Sequence, residues 1–149
     1  MREILFRGKR VDNGEWIKGF YIEANHHWHN KGVHKEWIVK NVIQNGGWCN
    51  VGSKYAVIPE TVGQYTGLTD KNGTKIFEGD IVEIVTVDKK EKRKFVVEIG
   101  ECLETNEEVC CYAVYHRFFG TPITFPINHI DLTEVIGNIH DNPELLGVE

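Results

Sequence analysis

Apolar residues along this chain of 149 residues recur every second position in short runs, each run interrupted by Gly, Asn, Asp or Pro. Period-two alternation is the pattern of half-buried β-strands, and helical periodicity is almost absent. The runs predict strands over residues 4–7, 15–23, 37–43 and 55–58. Between the first two, Asp12-Asn13-Gly14 supplies the positive φ that a tight hairpin demands. Residues 24–35 are polar and rich in His, and read as a long loop or an irregular hairpin tip. The third run ends at Asn45-Gly46-Gly47, and Pro59 closes the fourth.

The second half continues in this manner. A short mixed stretch over 62–68 leads to a turn at Asp70-Lys71-Asn72-Gly73, then Lys75-Ile76-Phe77 leads into Glu78-Gly79-Asp80. Residues 81–87 form the longest β-branched run. Residues 88–94 are a charged hairpin tip joining that run to 95–99. An acidic loop over 101–108 precedes strands at 109–119 and 133–139. Asp141-Asn142-Pro143-Glu144-Leu145-Leu146 predicts an N-capped helical turn with Pro in its first position. About ten short strands imply a mainly β protein, either a small barrel or two packed antiparallel sheets. Phe77-Glu78-Gly79-Asp80-Ile81-Val82 resembles the lead-in to the first strand of SH3-like barrels, which places such a barrel in residues 60–120. No linker divides the chain, so residues 1–149 are read as a single domain.

Composition narrows the class. Hydrophobic and charged fractions of 41% and 26% are those of an ordinary globular protein and exclude bulk disorder. No apolar run approaches the ~18 residues of a membrane span, and the charged start Met1-Arg2-Glu3 is unlike a signal peptide. A cytoplasmic protein with no membrane partner is the expectation. Cys49, Cys102, Cys110 and Cys111 contain no Cys-x-x-Cys pair, which leaves free thiols in a reducing compartment.

Charge changes the picture more. Residues 1–60 carry nine Lys or Arg against six Asp or Glu, whereas residues 61–149 carry eight against sixteen. All four tryptophans, Trp16, Trp28, Trp37 and Trp48, fall in the basic part. Rings for stacking and cations for phosphate therefore share one third of the chain. From it Arg7, Arg10, Trp16, Lys18 and Trp37 are candidate ligand-binding residues, with Lys9 a further cation. Gln64, Tyr65, Thr66 and Asp70 are added from the polar part of the central block. His26-His27-Trp28-His29 and His34 offer a weak metal candidate, since His27 and His29 would face one way on an extended segment. The favoured reading there is a polar loop without a resident metal, and no cofactor is expected. Asp70-x-Asn72-Gly73 lacks the oxygen ligands and flanking helices of a calcium loop and reads as an Asx turn.

Catalysis finds little support. There is no Gly-x-Ser-x-Gly elbow and no phosphate-cradling Gly-rich loop, and Ser53 is the sole serine. Cys49, Cys110 or Cys111 could pair with His116 or His129, but nothing in the spacing brings them together. A protein that binds rather than catalyses is the expectation.

Three blocks carry a family likeness. The first is Met1-Arg2-Glu3-Ile4-Leu5-Phe6-Arg7-Gly8, followed by Trp16 and Gly19. The second is Ile58-Pro59-Glu60-Thr61-Val62-Gly63-Gln64-Tyr65-Thr66-Gly67-Leu68 with Asp70-Lys71-Asn72-Gly73 and Ile76-Phe77-Glu78-Gly79-Asp80-Ile81-Val82. The third is Val135-Ile136-Gly137-Asn138-Ile139-His140-Asp141-Asn142-Pro143-Glu144-Leu145-Leu146. Together they resemble the YopX-like proteins of bacteriophages and prophages of low-GC bacteria. The resemblance implies a small, mostly β, phage-encoded protein of the bacterial cytoplasm, often oligomeric, and it transfers no catalytic residue. The combined expectation is a homo-oligomeric, non-enzymatic binding module for a host protein or a small nucleotide-type ligand. The alternative is a nucleic-acid-binding module that uses the basic, Trp-rich first third.

Overall fold

The computed structural model describes residues 3–24, 35–40, 42–45, 48–85, 91–100, 110–118, 121–126 and 132–147. The chain divides into two compact units, Met1–Gln64 and Tyr65–Glu149. It is mainly β and antiparallel throughout, as the alternation predicts, with short 3-10 turns over Pro59–Thr61 and Pro143–Leu146.

The first unit holds β1 (Phe6–Lys9), β2 (Trp16–Ala24), β3 (Lys35–Val39), β4 (Val42–Asn45), β5 (Trp48–Val51) and β6 (Lys54–Ala56). Its main sheet runs in the order β6-β3-β2-β1, while β4 and β5 form a separate two-stranded ribbon. The β1–β2 turn falls where Asp12-Asn13-Gly14 predicts it, with Gly14 at φ 72°. Fully buried Ile38, with Ile17 and Val57, forms the core, and Phe6, Tyr55 and Val62 pack around them. Glycine is required at position 19, where an added Cβ would lie 2.2 Å from the Val39 carbonyl oxygen. A 3-10 turn over Pro59–Thr61 is pinned to β1: the Thr61 hydroxyl accepts the Lys9 N–H at 2.8 Å and donates to the Ile58 carbonyl at 2.7 Å.

β7 (Gly63–Thr69) starts in the first unit, paired with β1 through Phe6↔Gln64 and Arg7↔Gly63. It ends in the second unit, paired with β8 (Lys75–Phe77). The second unit also contains β9 (Asp80–Val85), β10 (Lys92–Gly100), β11 (Cys110–Phe118), β12 (Thr121–Pro126) and β13 (Thr133–Asn138). These make a five-stranded sheet in the order β12-β11-β10-β9-β13. Its core is Ile76, Val82, Phe95 and Val97, flanked by Leu68, Ile84 and Val135. β12 and β13 lie at opposite edges, so among the described residues the strands form open sheets rather than a closed barrel.

Several sequence expectations shift in detail. The run predicted over 37–43 is broken at Lys40 into β3 and β4, which belong to different sheets. β5 and β12 have no counterpart among the predicted strands. The charged stretch 88–94 contributes Lys92-Arg93-Lys94 to β10 rather than lying wholly in a tip. The predicted C-terminal turn is a 3-10 turn over Pro143–Leu146 that Asn142 precedes without a side-chain cap. Proline at its start removes a backbone donor, and the Asn142 Oδ1 instead accepts the Asn138 N–H at 3.4 Å. The predicted loops lie mostly outside the described residues, which omit 25–34 and 101–109. Among the described residues, no helix is long and apolar enough to cross a membrane.

Candidate ligand-binding face of the first sheet

Directly opposed residues in an antiparallel pair share a face. The β1–β2 register is Phe6↔Gly19, Arg7↔Lys18, Gly8↔Ile17 and Lys9↔Trp16. Ile17 is buried in the core, and a Cβ on Gly8 would touch Val57 and Ile38, so this alternate set points inward. Arg7, Lys9, Trp16 and Lys18 therefore share the outward face. The register continues through Phe20↔Val39 and Ile22↔Trp37, and Lys54 of β6 opposes Val39. Trp37 and Lys54 thus join the same face.

Rings and cations are stacked there. The Arg7 guanidinium lies 4.8 Å from the Trp16 ring centroid and the Lys9 ammonium 5.6 Å from it. The Lys54 ammonium lies 5.1 Å from the Trp37 ring. Such contacts exploit the negative face of the indole and hold long flexible side chains close to the sheet. Phe20 lies between the two tryptophans in register and Ile22 lies directly opposite Trp37; they are 48% and 37% exposed, although apolar. Val39 beside them is closed over. Among the described side chains at outward positions of β1, β2, β3 and β6 there are four cations and no carboxylate.

Arg10 is placed elsewhere. One residue beyond Lys9, its parity reverses, and its guanidinium lies 4.6 Å over the Tyr55 ring. It is hydrogen-bonded to Asp12 and lies 3.8 Å from Glu15. The bond to Asp12 holds the Arg10 pKa above its ordinary value, and the same bond holds the Asp12 carboxyl below its own. This cation is locally neutralised by Asp12 and Glu15.

The candidates from the central block are engaged in structure. Gln64 opposes Phe6 on β7. The Tyr65 ring packs against Phe77 at 5.5 Å, with the Lys75 ammonium 4.6 Å from it. The Thr66 hydroxyl donates to the Ile76 carbonyl at 2.8 Å and accepts the Leu68 N–H at 3.1 Å. Asp70 is 4% exposed and accepts N–H groups from Asn72 at 2.8 Å, Thr74 at 2.9 Å and Val135 at 3.0 Å. Burial pushes its carboxyl up, but the N–H groups of Val135, Thr74 and Asn72 outweigh that and hold its pKa below the ordinary value. An Asx turn, as the sequence predicts, is thus fastened to β13.

The structure brings Arg7, Trp16, Lys18 and Trp37 to one face and leaves Arg10, Tyr65, Thr66 and Asp70 in other roles. Sequence reasoning passed over Phe20, Ile22 and Lys54. The first two follow from alternation along β2, but Lys54 joins the face only through the β3–β6 pairing, for which the sequence has no local signal. His27, His29 and His34 lie outside the described residues; among the described ones, no cluster of three His, Cys, Asp or Glu could hold a metal ion.

Comparison with known proteins places the chain. No curated protein sequence matches it. The crystal structure of protein EF1440 from Enterococcus faecalis is similar, with a TM-score of 0.55 and 25% identity over 98% of this chain and 99% of that one. The family model described as YopX protein matches residues 5–147, nearly the full length. On that match, the chain belongs to the YopX protein family.

Proposed function

We propose that the protein is a non-catalytic binding module whose outward face in the first unit receives a ligand bearing both aromatic bases and phosphate. The observation that carries this reading is the co-location of Trp16 and Trp37 with Arg7, Lys9, Lys18 and Lys54. Indole faces are stacking platforms for bases, and Arg and Lys ammonium or guanidinium groups are phosphate ligands. The net charge of −5 does not oppose this, because the acidic excess resides in residues 61–149 and residues 1–60 are net basic. At physiological salt the Debye length is only about 8 Å, so the local cations govern the approach of an anion. Family membership supports a phage association, and a homo-oligomer of the bacterial cytoplasm is part of the same proposal.

The test is a calorimetric titration of the full chain with mononucleotides and short oligonucleotides. Binding that is lost in the Arg7→Gln, Lys18→Gln double variant supports the reading. Absence of heat for the whole panel, or equal binding by that variant, refutes it.

A further inference from the structure

We infer that the ligand is single-stranded nucleic acid laid along β2 and gripped by two separate ring-and-cation clamps. The inference rests on the reading above and specifies its ligand. Trp16 with Arg7 and Lys9 is one clamp; Trp37, opposite Ile22, with Lys54 is the other. Trp16 and Ile22 are six positions apart on one strand, which is about 20 Å at the rise of a β-strand. Stacked nucleotides in one strand rise about 3.4 Å each, so about six of them span the gap, and fewer when stretched. A mononucleotide reaches one clamp only.

The ground between the clamps has the same character. Lys18 provides a cation at its Trp16 end, and exposed Phe20 and Ile22 provide apolar surface on which bases or sugars can lie. Arg7, Lys9, Lys18 and Lys54 supply cations along this face for a phosphate chain. A duplex fits poorly, because its bases are stacked on each other and cannot offer their faces to Trp16 or Trp37. Among the described residues the face also lacks an array of side-chain amides to read base edges, so little sequence preference is expected.

The experiment measures competition by unlabelled thymidylates, from one nucleotide to about twelve, against a fluorescent oligonucleotide on the full chain. Affinity is expected to climb until about six nucleotides and then level off. Trp37→Leu is expected to weaken the longest ligand about tenfold. Lys54→Gln, at an exposed position outside the core, guards against a variant that fails to fold. It is expected to flatten the rise with length and to lower the salt slope by about 0.7. If one nucleotide binds as tightly as twelve, or if a duplex competes equally, the two-clamp inference is overturned while a base-and-phosphate ligand stands. If neither mononucleotides nor oligonucleotides bind, both readings are overturned.

Discussion

Asp70→Asn is the most informative single change in the second unit. The Asp70 carboxylate holds the β7–β8 turn against the edge of β13: Oδ1 accepts the Asn72 and Thr74 N–H groups, and Oδ2 accepts the Val135 N–H. The Lys71 N–H reinforces the contact by donating to the Thr133 carbonyl at 3.1 Å, and Lys71 pairs with Glu134 at 2.5 Å. The turn thereby occupies an edge that would otherwise present unpaired backbone groups. Asparagine can keep the Oδ1 bonds in weaker, uncharged form. At the Oδ2 position, however, it sets an NH2 against the Val135 N–H and leaves two donors facing each other. Hydrogen bonds to charged groups contribute about 1.5–3 kcal/mol, and a stranded buried donor costs about 1–3 kcal/mol, so a loss of about 2–4 kcal/mol is expected. Amide hydrogen exchange followed by NMR reads this locally. The Val135 amide should exchange about 30- to 1,000-fold faster in the variant under conditions where opening and reclosing are fast relative to intrinsic exchange. Protection at Val135 within about twofold of the parent would refute the bridging role assigned to Asp70.

Thr66→Val strands the Ile76 carbonyl and the Leu68 N–H in a buried setting and should destabilise by about 1–3 kcal/mol in urea unfolding followed by far-UV circular dichroism. Gly19→Ala forces a Cβ to 2.2 Å from backbone oxygen of β3. Because that oxygen cannot step aside without moving the strand, a loss of about 3 kcal/mol or more is expected. The tryptophans all precede residue 50, so their fluorescence during urea unfolding reports this change; an unaltered midpoint would contradict the close approach. Acid should also act through Asp70. Its folded pKa lies below the ordinary 3.8, so its contribution is complete above the unfolded value and disappears as pH falls through the lower folded one. Asp70→Asn should therefore show a shallower loss of stability below about pH 4 than the parent, and parallel curves would count against the assignment.

Local chemistry made some elements legible and partner choice hid others. Asp12-Asn13-Gly14 and Asp70-Lys71-Asn72-Gly73 could be placed because their turn conformations favour those residue types, with Gly14 at φ 72° and Gly73 at φ 81°. Apolar residues resume at Val42-Ile43 after Lys40-Asn41, so 37–43 reads as one run, yet β3 pairs β2 and β6 while β4 pairs β5. Periodicity reports which face a side chain takes and is blind to a change of neighbouring strand. β12 escaped notice because Pro122 and Pro126 argue against a strand. It is an edge strand, the position in a sheet that tolerates residues lacking an N–H donor.

The site was legible to the extent that parity could be counted. Once the hairpin turn is placed, Arg7, Trp16 and Lys18 follow onto one face, and Arg10 is excluded by a single step along the strand. Thr66 and Asp70 read as ligand donors for a different reason: a sequence displays polar groups but not the partners that satisfy them. In the fold those partners are the Ile76 carbonyl, ten residues along, and the Val135 N–H, 65 residues along. Net charge is uninformative about placement in a similar way. A total of −5 reads as hostility to a polyanion, yet a ligand interacts chiefly with charges within about a Debye length. Over that range the relevant set is fixed by strand register. Among the described side chains at outward positions of β1, β2, β3 and β6 it comprises Arg7, Lys9, Lys18 and Lys54. Register, more than composition, therefore determines what this face attracts.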